Sequence, residues 1–138
     1  MSTAEAYDEP ATVAGCAIRV LLCDDHAVVR VGLKRLLDAA DGVDVVGTAV
    51  DGEDGVRAAA RLRPDVVLMD LSMPKLDGVE ATRRIAQLLP GTAVLVLTSF
   101  ADRLRIRRAI DAGASGYLLK DASPAELLAA IRGAVPGC

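Results

Sequence analysis

Aromatic residues are nearly missing from this sequence. The 138 residues include no Trp, one Phe and two Tyr. Any core must therefore be aliphatic, and the aromatic platforms that stack on single-stranded nucleic acid are absent. Excess positive charge is missing as well, since the formal net charge is −3. The chain as a whole offers no basic surface for nucleic acid.

Long apolar runs are also missing. No stretch approaches the roughly 18 apolar residues that span a bilayer, and the first residues lack the basic and apolar segments of a secretion signal. Cys16, Cys23 and Cys138 show no metal-binding or redox spacing, and Cys23 is expected to pack in the core. We expect a cytoplasmic protein without membrane contact. It should comprise a mobile leader over 1–17, one domain over 18–135 and a short end at 136–138.

Short apolar segments alternate with segments of helical periodicity. Two of the apolar segments, VVLM and AVLVL, are nearly continuous, which is typical of strands covered on both faces. The helical stripes expected to face the sheet include Ala60, Leu88 and Ile110. The predicted strands are 18–23, 43–50, 65–69, 92–97 and 115–119. Five β-α units in succession predict a doubly wound α/β fold with a parallel sheet.

Local signals mark several helix ends. Ser123 and Glu126 flank Pro124 in a capping box, which predicts the start of the last helix. Pro90 predicts the end of the third helix, and Asp51 is predicted to cap the second. Gly78 is expected to relieve crowding where the third helix begins.

Polar residues follow four of the five predicted strands. Asp24 and Asp25 follow the first strand, and Asp70 follows the third. Thr98 and Lys120 follow the fourth and the fifth. Because ligands of open α/β sheets bind beyond the carboxyl ends of the strands, we expect these side chains to meet at one edge.

Each of these residue types has an ordinary use elsewhere: Asp caps helices, Lys is commonly solvated, and Thr is common in strands. Their joint placement favours a shared site. Crowded carboxylates repel one another unless a positive charge joins them. Mg²⁺ suits such a cluster, with Mn²⁺ as a substitute, because it binds a few carboxylates plus phosphate. Lys120 would attract an anion, and Thr98 would donate to a phosphoryl oxygen.

Four segments, LLCDDH, VLMDLSMPKLDG, VLVLTS and GYLLKD, resemble the signature segments of response-regulator receiver domains in order, spacing and strand context. The resemblance covers roughly residues 18–135. It implies a flavodoxin-like (βα)5 fold with strand order 2-1-3-4-5. Two segments, DDHAVVRVGL and GASGYLLKDASPAEL, are similar in sequence to those of the NarL/LuxR-type subfamily. Members of that subfamily usually carry a C-terminal helix-turn-helix.

The resemblance also implies roles for the residues at the edge. Asp70 would be the phosphoacceptor, taking the phosphoryl group from a phosphohistidine of a partner kinase. Asp25 and Asp70 would coordinate Mg²⁺ directly, and Asp24 would support it through water or an outer contact. Ser72 would lend its backbone carbonyl to the metal. The phosphoryl oxygens would be bound by Thr98 and Lys120.

Switching and partners follow from the same resemblance. Tyr117 would change rotamer when Thr98 moves. The domain would be a signalling switch rather than an enzyme, phosphorylated by a sensor histidine kinase. We expect a phosphorylation-promoted homodimer. It would form either through the surface of the fourth helix, the fifth strand and the fifth helix, or through the first and fifth helices, where Val31 is expected to be exposed. DNA would be bound only through a C-terminal domain outside these residues.

Three other classes of protein fit less well. A haloacid-dehalogenase-type phosphatase needs a second acid two residues after its nucleophile, where this chain has Ser72. A nucleotide-binding α/β domain needs a glycine-rich loop after the first strand, and CDDHAVVR contains no glycine. A degenerate receiver used only for binding would lack some of the acids or the lysine, and none is missing.

Three further features lie near these residues in the sequence. His26 could be a metal ligand or a base, but we expect it to open the first helix. Phe100, two residues after Thr98, is expected to shield the acyl phosphate and slow its hydrolysis. A basic face on the fourth helix is expected to be solvated, with a partner surface as the second interpretation; it comprises Arg103, Arg105, Arg107 and Arg108.

Overall fold

Strands and helices alternate throughout the computed structural model, which describes residues 17–73, 76–99 and 103–136. The predicted leader up to residue 16, Cys16, Cys138 and Phe100 lie outside these residues. The elements are β1 (Ile18–Cys23), α1 (Ala27–Asp38), β2 (Val43–Ala49), α2 (Gly52–Leu62), β3 (Val66–Asp70), α3 (Gly78–Leu88), β4 (Ala93–Thr98), α4 (Arg103–Ala112), β5 (Gly116–Leu119) and α5 (Pro124–Ala134). Every strand begins and ends within one residue of its predicted bounds.

The five strands form one parallel sheet in the order β2-β1-β3-β4-β5. The predicted fold class and the order 2-1-3-4-5 are therefore confirmed. The chain first moves from β1 outward to β2 and then returns to the other side of β1 as β3. This reversal between β1 and β3 leaves a crevice at the carboxyl edge of the sheet, where such folds bind ligands.

Two aliphatic layers cover the sheet because successive strand residues face opposite sides. Leu21 and Cys23 of β1 pack with α2 and α3 on one side, and Val20 and Leu22 pack with α1 and α5 on the other. All five residues of β3 are buried, as expected of a strand covered on both faces. Cys23 is a core thiol, as predicted. Burial raises its pKa, and the nearby carboxylates of Asp54 and Asp24 raise it further.

The predicted helix ends are confirmed. The hydroxyl of Ser123 accepts from the backbone N–H of Glu126, whose carboxylate accepts in return from the backbone N–H of Ser123. Asp51 caps α2, since its carboxylate accepts from the backbone N–H of Asp54 at 2.8 Å. The third helix ends at Leu88, two residues before Pro90.

Three predictions of sheet-facing residues were wrong. Ala60, Leu88 and Ile110 are exposed. The inward positions of α2 include Gly52 and Gly55, and those of α4 run through Arg105, Ala109 and Ala112. The predicted stripes included the buried Ala59 and Ala109 but missed inward positions that hold glycine or arginine, so they were rotated or extended too far. At the end of α3, Leu89 is buried in the turn instead of Leu88.

Among the described residues, no helix combines the length and the apolar character needed to cross a bilayer.

Candidate functional site

The carboxyl edge of the sheet brings together two buried carboxylates and one ammonium group. The side chains of Asp24 and Asp70 are 2% and 1% exposed. They lie at the ends of neighbouring strands, where Cys23 of β1 pairs with Met69 of β3. The Nζ atom of Lys120 is 3.1 Å from Oδ2 of Asp70 and 3.5 Å from Oδ2 of Asp24. The sequence-predicted acids and lysine therefore share one pocket.

Two oxygens of this pocket are unsatisfied. Oδ2 of Asp24 and Oδ2 of Asp70 are buried and have no hydrogen-bond partner among the described residues, although the Lys120 ammonium is close to both. Buried polar atoms are normally paired, and one ammonium cannot balance two buried carboxylates and the neighbouring Asp25. Hard carboxylate oxygens in this state fit a divalent cation such as Mg²⁺.

The loop after β1 holds Asp24 in place. Oδ1 of Asp24 accepts from the backbone N–H of His26 at 2.8 Å, and its backbone carbonyl accepts from Nη1 of Arg30 at 2.8 Å. The backbone N–H of Asp24 donates to the carbonyl of Ala49 at 3.1 Å. The carboxylate is thereby oriented before any ligand arrives.

The loop after β3 holds Asp70 in a similar way. Oδ1 of Asp70 accepts from the backbone N–H of Ser72 at 3.1 Å, so Oδ2 is the oxygen that faces Lys120. The backbone N–H of Gly78 donates to the Leu71 carbonyl at 3.3 Å. A Cβ at Gly78 would overlap the carbonyl oxygen of Asp70 and lie 2.6 Å from the Leu71 Cα. The predicted role of Gly78 in relieving crowding is therefore confirmed.

Arg105 makes a contact that the sequence did not indicate. Its Nη1 donates to the hydroxyl of Ser72 at 3.0 Å, and its Nη2 donates to the carbonyl of Leu71. The guanidinium thus ties α4 to the two residues that follow Asp70. The other three arginines of the predicted basic face are exposed, namely Arg103, Arg107 and Arg108. The prediction of a solvated face therefore holds for these three and is wrong for Arg105.

Thr98 and Tyr117 lie on the next two strands. Thr98 ends β4, is buried, and accepts through its backbone carbonyl from the Lys120 N–H at 2.8 Å. Tyr117 lies in β5 with 52% of its surface exposed, so the ring faces outward. Ser72 is exposed beside Asp70. The predicted shielding by Phe100 concerns a residue outside the described part and stays a prediction.

His26 also lies at this pocket. It occupies the position before α1, as predicted, but its side chain makes no capping hydrogen bond. Its Nδ1 lies 3.3 Å from Oδ1 of Asp24 and 3.1 Å from Oδ1 of Asp25. One ligand atom from each of Asp24, Asp25, His26 and Asp70 lies within 4.8 Å of the others.

Comparison with known proteins agrees with this fold. A family model described as the response regulator receiver domain matches residues 20–132. The chain therefore belongs to the response regulator receiver domain family.

The relatives point to one branch of that family. The transcriptional regulatory protein LiaR of Bacillus subtilis is 50% identical over 120 residues, which cover 87% of this chain and 57% of LiaR. A LuxR-family response regulator from Aurantimonas has 39% identity and a TM-score of 0.80 over 85% of this chain and 84% of that one. The receiver domain assigned to NarL of Mycobacterium tuberculosis has 34% identity and a TM-score of 0.82, over 88% and 98%. The chain is thus a receiver domain of the NarL/LuxR type.

The chain spans about half the length of the curated relatives it matches, for example 57% of LiaR and 56% of the response regulator VraR of Staphylococcus epidermidis.

Proposed function

We propose that the domain formed by residues 18–135 accepts a phosphoryl group on Asp70 and thereby switches an output surface. One observation carries the proposal. Oδ2 of Asp70 is a buried carboxylate oxygen without a hydrogen-bond partner among the described residues, and it faces the Lys120 ammonium at 3.1 Å. An oxygen held in this way keeps a lone pair for reaction, beside a cation that attracts an anionic donor.

The chemistry is the transfer of one phosphoryl group. A carboxylate oxygen of Asp70 attacks phosphorus, the bond from phosphorus to the donor nitrogen of a phosphohistidine breaks, and an aspartyl phosphate forms. The donor imidazole keeps the electron pair of the broken bond. Lys120 and the hydroxyl of Thr98 bind the phosphoryl oxygens. Positioning and charge neutralisation account for most of the catalysis in such reactions.

A divalent ion completes the proposed site. Asp24, Asp25, Asp70 and the backbone carbonyl of Ser72 would hold Mg²⁺, with Asp24 acting through water or an outer contact. The ion would neutralise the charge of the carboxylates and of the incoming phosphoryl group. The two unsatisfied oxygens of the pocket support this assignment.

The proposal extends to output. Phosphorylation adds roughly −1.5 to −2 charges at Asp70, which gives Thr98 and Lys120 a new partner. Movement of Thr98 would let the outward-facing ring of Tyr117 turn inward and change the surface of α4, β5 and α5. Such a domain is a switch rather than a turnover enzyme.

Its partners would be a sensor histidine kinase, a second copy of the chain, and DNA through a domain outside these residues. A cytoplasmic location fits a kinase that draws on intracellular ATP.

Intact mass after incubation with acetyl phosphate tests the proposal. With Mg²⁺ the protein should gain one phosphoryl group per chain and then stop, and chelation should abolish the gain. Asp70→Asn should remove it, whereas Asp111→Asn, at an exposed position of α4, should leave it unchanged. If Asp70→Asn is phosphorylated as readily as the parent, Asp70 is not the acceptor. A small phosphoester consumed in many equivalents would instead support a phosphatase.

A further inference from the structure

The ring of His26 is directed at the acid pocket although nothing in α1 requires it there. His26 is the only histidine of the chain, and its side chain is 61% exposed. The backbone N–H of His26 binds Asp24, but the ring makes no capping hydrogen bond to α1. The ring is therefore accessible to a ligand and plays no part in starting the helix.

The ring and the carboxylates pair directly with each other, and the same spacing suits ligands of one metal ion. Two adjacent ligands of an octahedral ion, each about 2.1 Å from the metal, lie about 3.0 Å apart. Nδ1 of His26 is 3.1 Å from an oxygen of Asp25 and 3.3 Å from an oxygen of Asp24. The four candidate ligand atoms, including one of Asp70, fit within 4.8 Å. A single ion could touch both the ring and the acids without a large rearrangement.

A second observation independently indicates a cation. Oδ2 of Asp24 and Oδ2 of Asp70 are buried, and neither has a hydrogen-bond partner among the described residues. Lys120 supplies one positive charge near three carboxylates. A neutral imidazole adds a nitrogen lone pair to this set without adding positive charge.

We propose that the pocket binds first-row transition-metal ions such as Co²⁺ or Zn²⁺ through Nδ1 of His26 together with the carboxylates of Asp24 and Asp25. The inference rests on the proposed function, because Mg²⁺ would use the same acids. Imidazole nitrogen suits Zn²⁺, Co²⁺ and Ni²⁺, whereas Mg²⁺ prefers oxygen ligands. His26 therefore sets the preference between the two classes of ion, and a transition metal competes with Mg²⁺ for the phosphorylation site.

Calorimetric titration with Co²⁺ and with Mg²⁺ measures this preference. For these titrations the protein is prepared without a polyhistidine tag. It carries the substitutions Cys16→Ser and Cys138→Ser, so that those two thiols do not bind the ion. His26→Asn keeps a residue type that caps helices well but lacks the imidazole. We expect at least about a tenfold loss of Co²⁺ affinity and less than about a twofold change for Mg²⁺. Equal loss for both ions, or no loss of Co²⁺ affinity, overturns the inference.

A direct readout uses the single histidine. In protein labelled with ¹⁵N only at histidine, the two ring signals belong to His26. Zn²⁺ should shift the Nδ1 signal far more than Mg²⁺ does. Ring signals that respond to neither ion would mean that His26 only pairs with the acids, and would overturn the inference.

Two further measurements separate this inference from the proposed function. Asp25→Ala should weaken both Co²⁺ and Mg²⁺, which supports the shared pocket. Co²⁺ should inhibit phosphorylation of the parent by acetyl phosphate with Mg²⁺, and the His26→Asn variant should need a higher Co²⁺ concentration for the same fractional inhibition. If phosphorylation depends on Mg²⁺ but the Co²⁺ affinity is the same in the parent and in His26→Asn, only the inference fails. If the parent is not phosphorylated with Mg²⁺, the proposed function fails, regardless of the effect of His26→Asn on Co²⁺ affinity.

Discussion

Gly78 begins α3 against the backbone that carries Asp70. Its missing Cβ leaves room for the Asp70 carbonyl and for the Leu71 Cα, which would lie 2.6 Å from an added Cβ. Because these are backbone atoms that cannot rotate away, Gly78→Ala must displace the loop or the helix. We expect a destabilisation of about 1–3 kcal/mol in urea unfolding.

Gly133 is the matched control because it lies in α5 with open space around a Cβ. There Gly→Ala should stabilise the protein by up to about 1 kcal/mol, since alanine loses less backbone entropy in a helix. If Gly→Ala changes the free energy of unfolding equally at the two positions, crowding against the Asp70 backbone is not the reason for a glycine at position 78.

The start of α5 depends on the capping box of Ser123 and Glu126. Ser123→Ala removes the acceptor for the Glu126 N–H and should destabilise the protein by about 1 kcal/mol. Ser115→Ala is the control, because Ser115 is exposed and its backbone N–H keeps its bond to the Val94 carbonyl. A loss no larger for Ser123→Ala than for Ser115→Ala would contradict the cap.

The same box has a pH dependence. Its backbone and hydroxyl hydrogen bonds with Ser123 lower the pKa of the exposed Glu126 carboxyl. A group with a lowered folded-state pKa stabilises the fold above its unfolded pKa, and this contribution is lost as the pH falls through the folded-state pKa. The stability difference between parent and Ser123→Ala, measured by urea unfolding, should therefore shrink as the solution is acidified below the usual Glu range.

Arg105 connects α4 to the loop that follows Asp70. Its guanidinium donates to the Leu71 carbonyl and to the Ser72 hydroxyl. Arg105→Ala should loosen this loop, and amide hydrogen exchange at Ser72 should speed up about tenfold, which corresponds to about 1.4 kcal/mol of local stability. Arg107→Ala removes an exposed charge from the same helix and should leave this exchange unchanged. Faster exchange in both variants would indicate a general effect of helix charge.

We propose two surfaces of the whole domain for self-association. One carries the exposed Arg103, Arg107 and Arg108 beside the exposed Asp121 and Glu126, charges that a twofold axis could pair. The other lies on α1, where Val28 and Val31 are exposed, as expected for Val31. We expect beryllofluoride with Mg²⁺ to promote dimers in sedimentation velocity. A monomer with and without the mimic over a wide concentration range would contradict this and favour release of a neighbouring domain as the output.

The fold was predictable from the sequence because its signals are local and repeated. Nearly continuous apolar segments such as VVLM and AVLVL, alternating with helical periods, define covered parallel strands. The meeting of Asp24, Asp70 and Lys120 was also predictable, since residues after parallel strands share one edge. The same reasoning misplaced Ala60, Leu88 and Ile110, because a periodicity of apolar residues gives no signal for inward positions that hold glycine or a charged side chain.

The sequence alone determined the order of the elements, the caps of α2 and α5 and the set of residues at the carboxyl edge, since each depends on residue type and spacing along the chain. The tertiary structure alone decided where long or rotatable side chains are directed. The ring of His26 lies against Asp25 rather than capping α1, and the guanidinium of Arg105 reaches Ser72 across 33 positions of sequence. Neither contact has a sequence signal, because both depend on rotamers chosen by neighbours that only folding brings close.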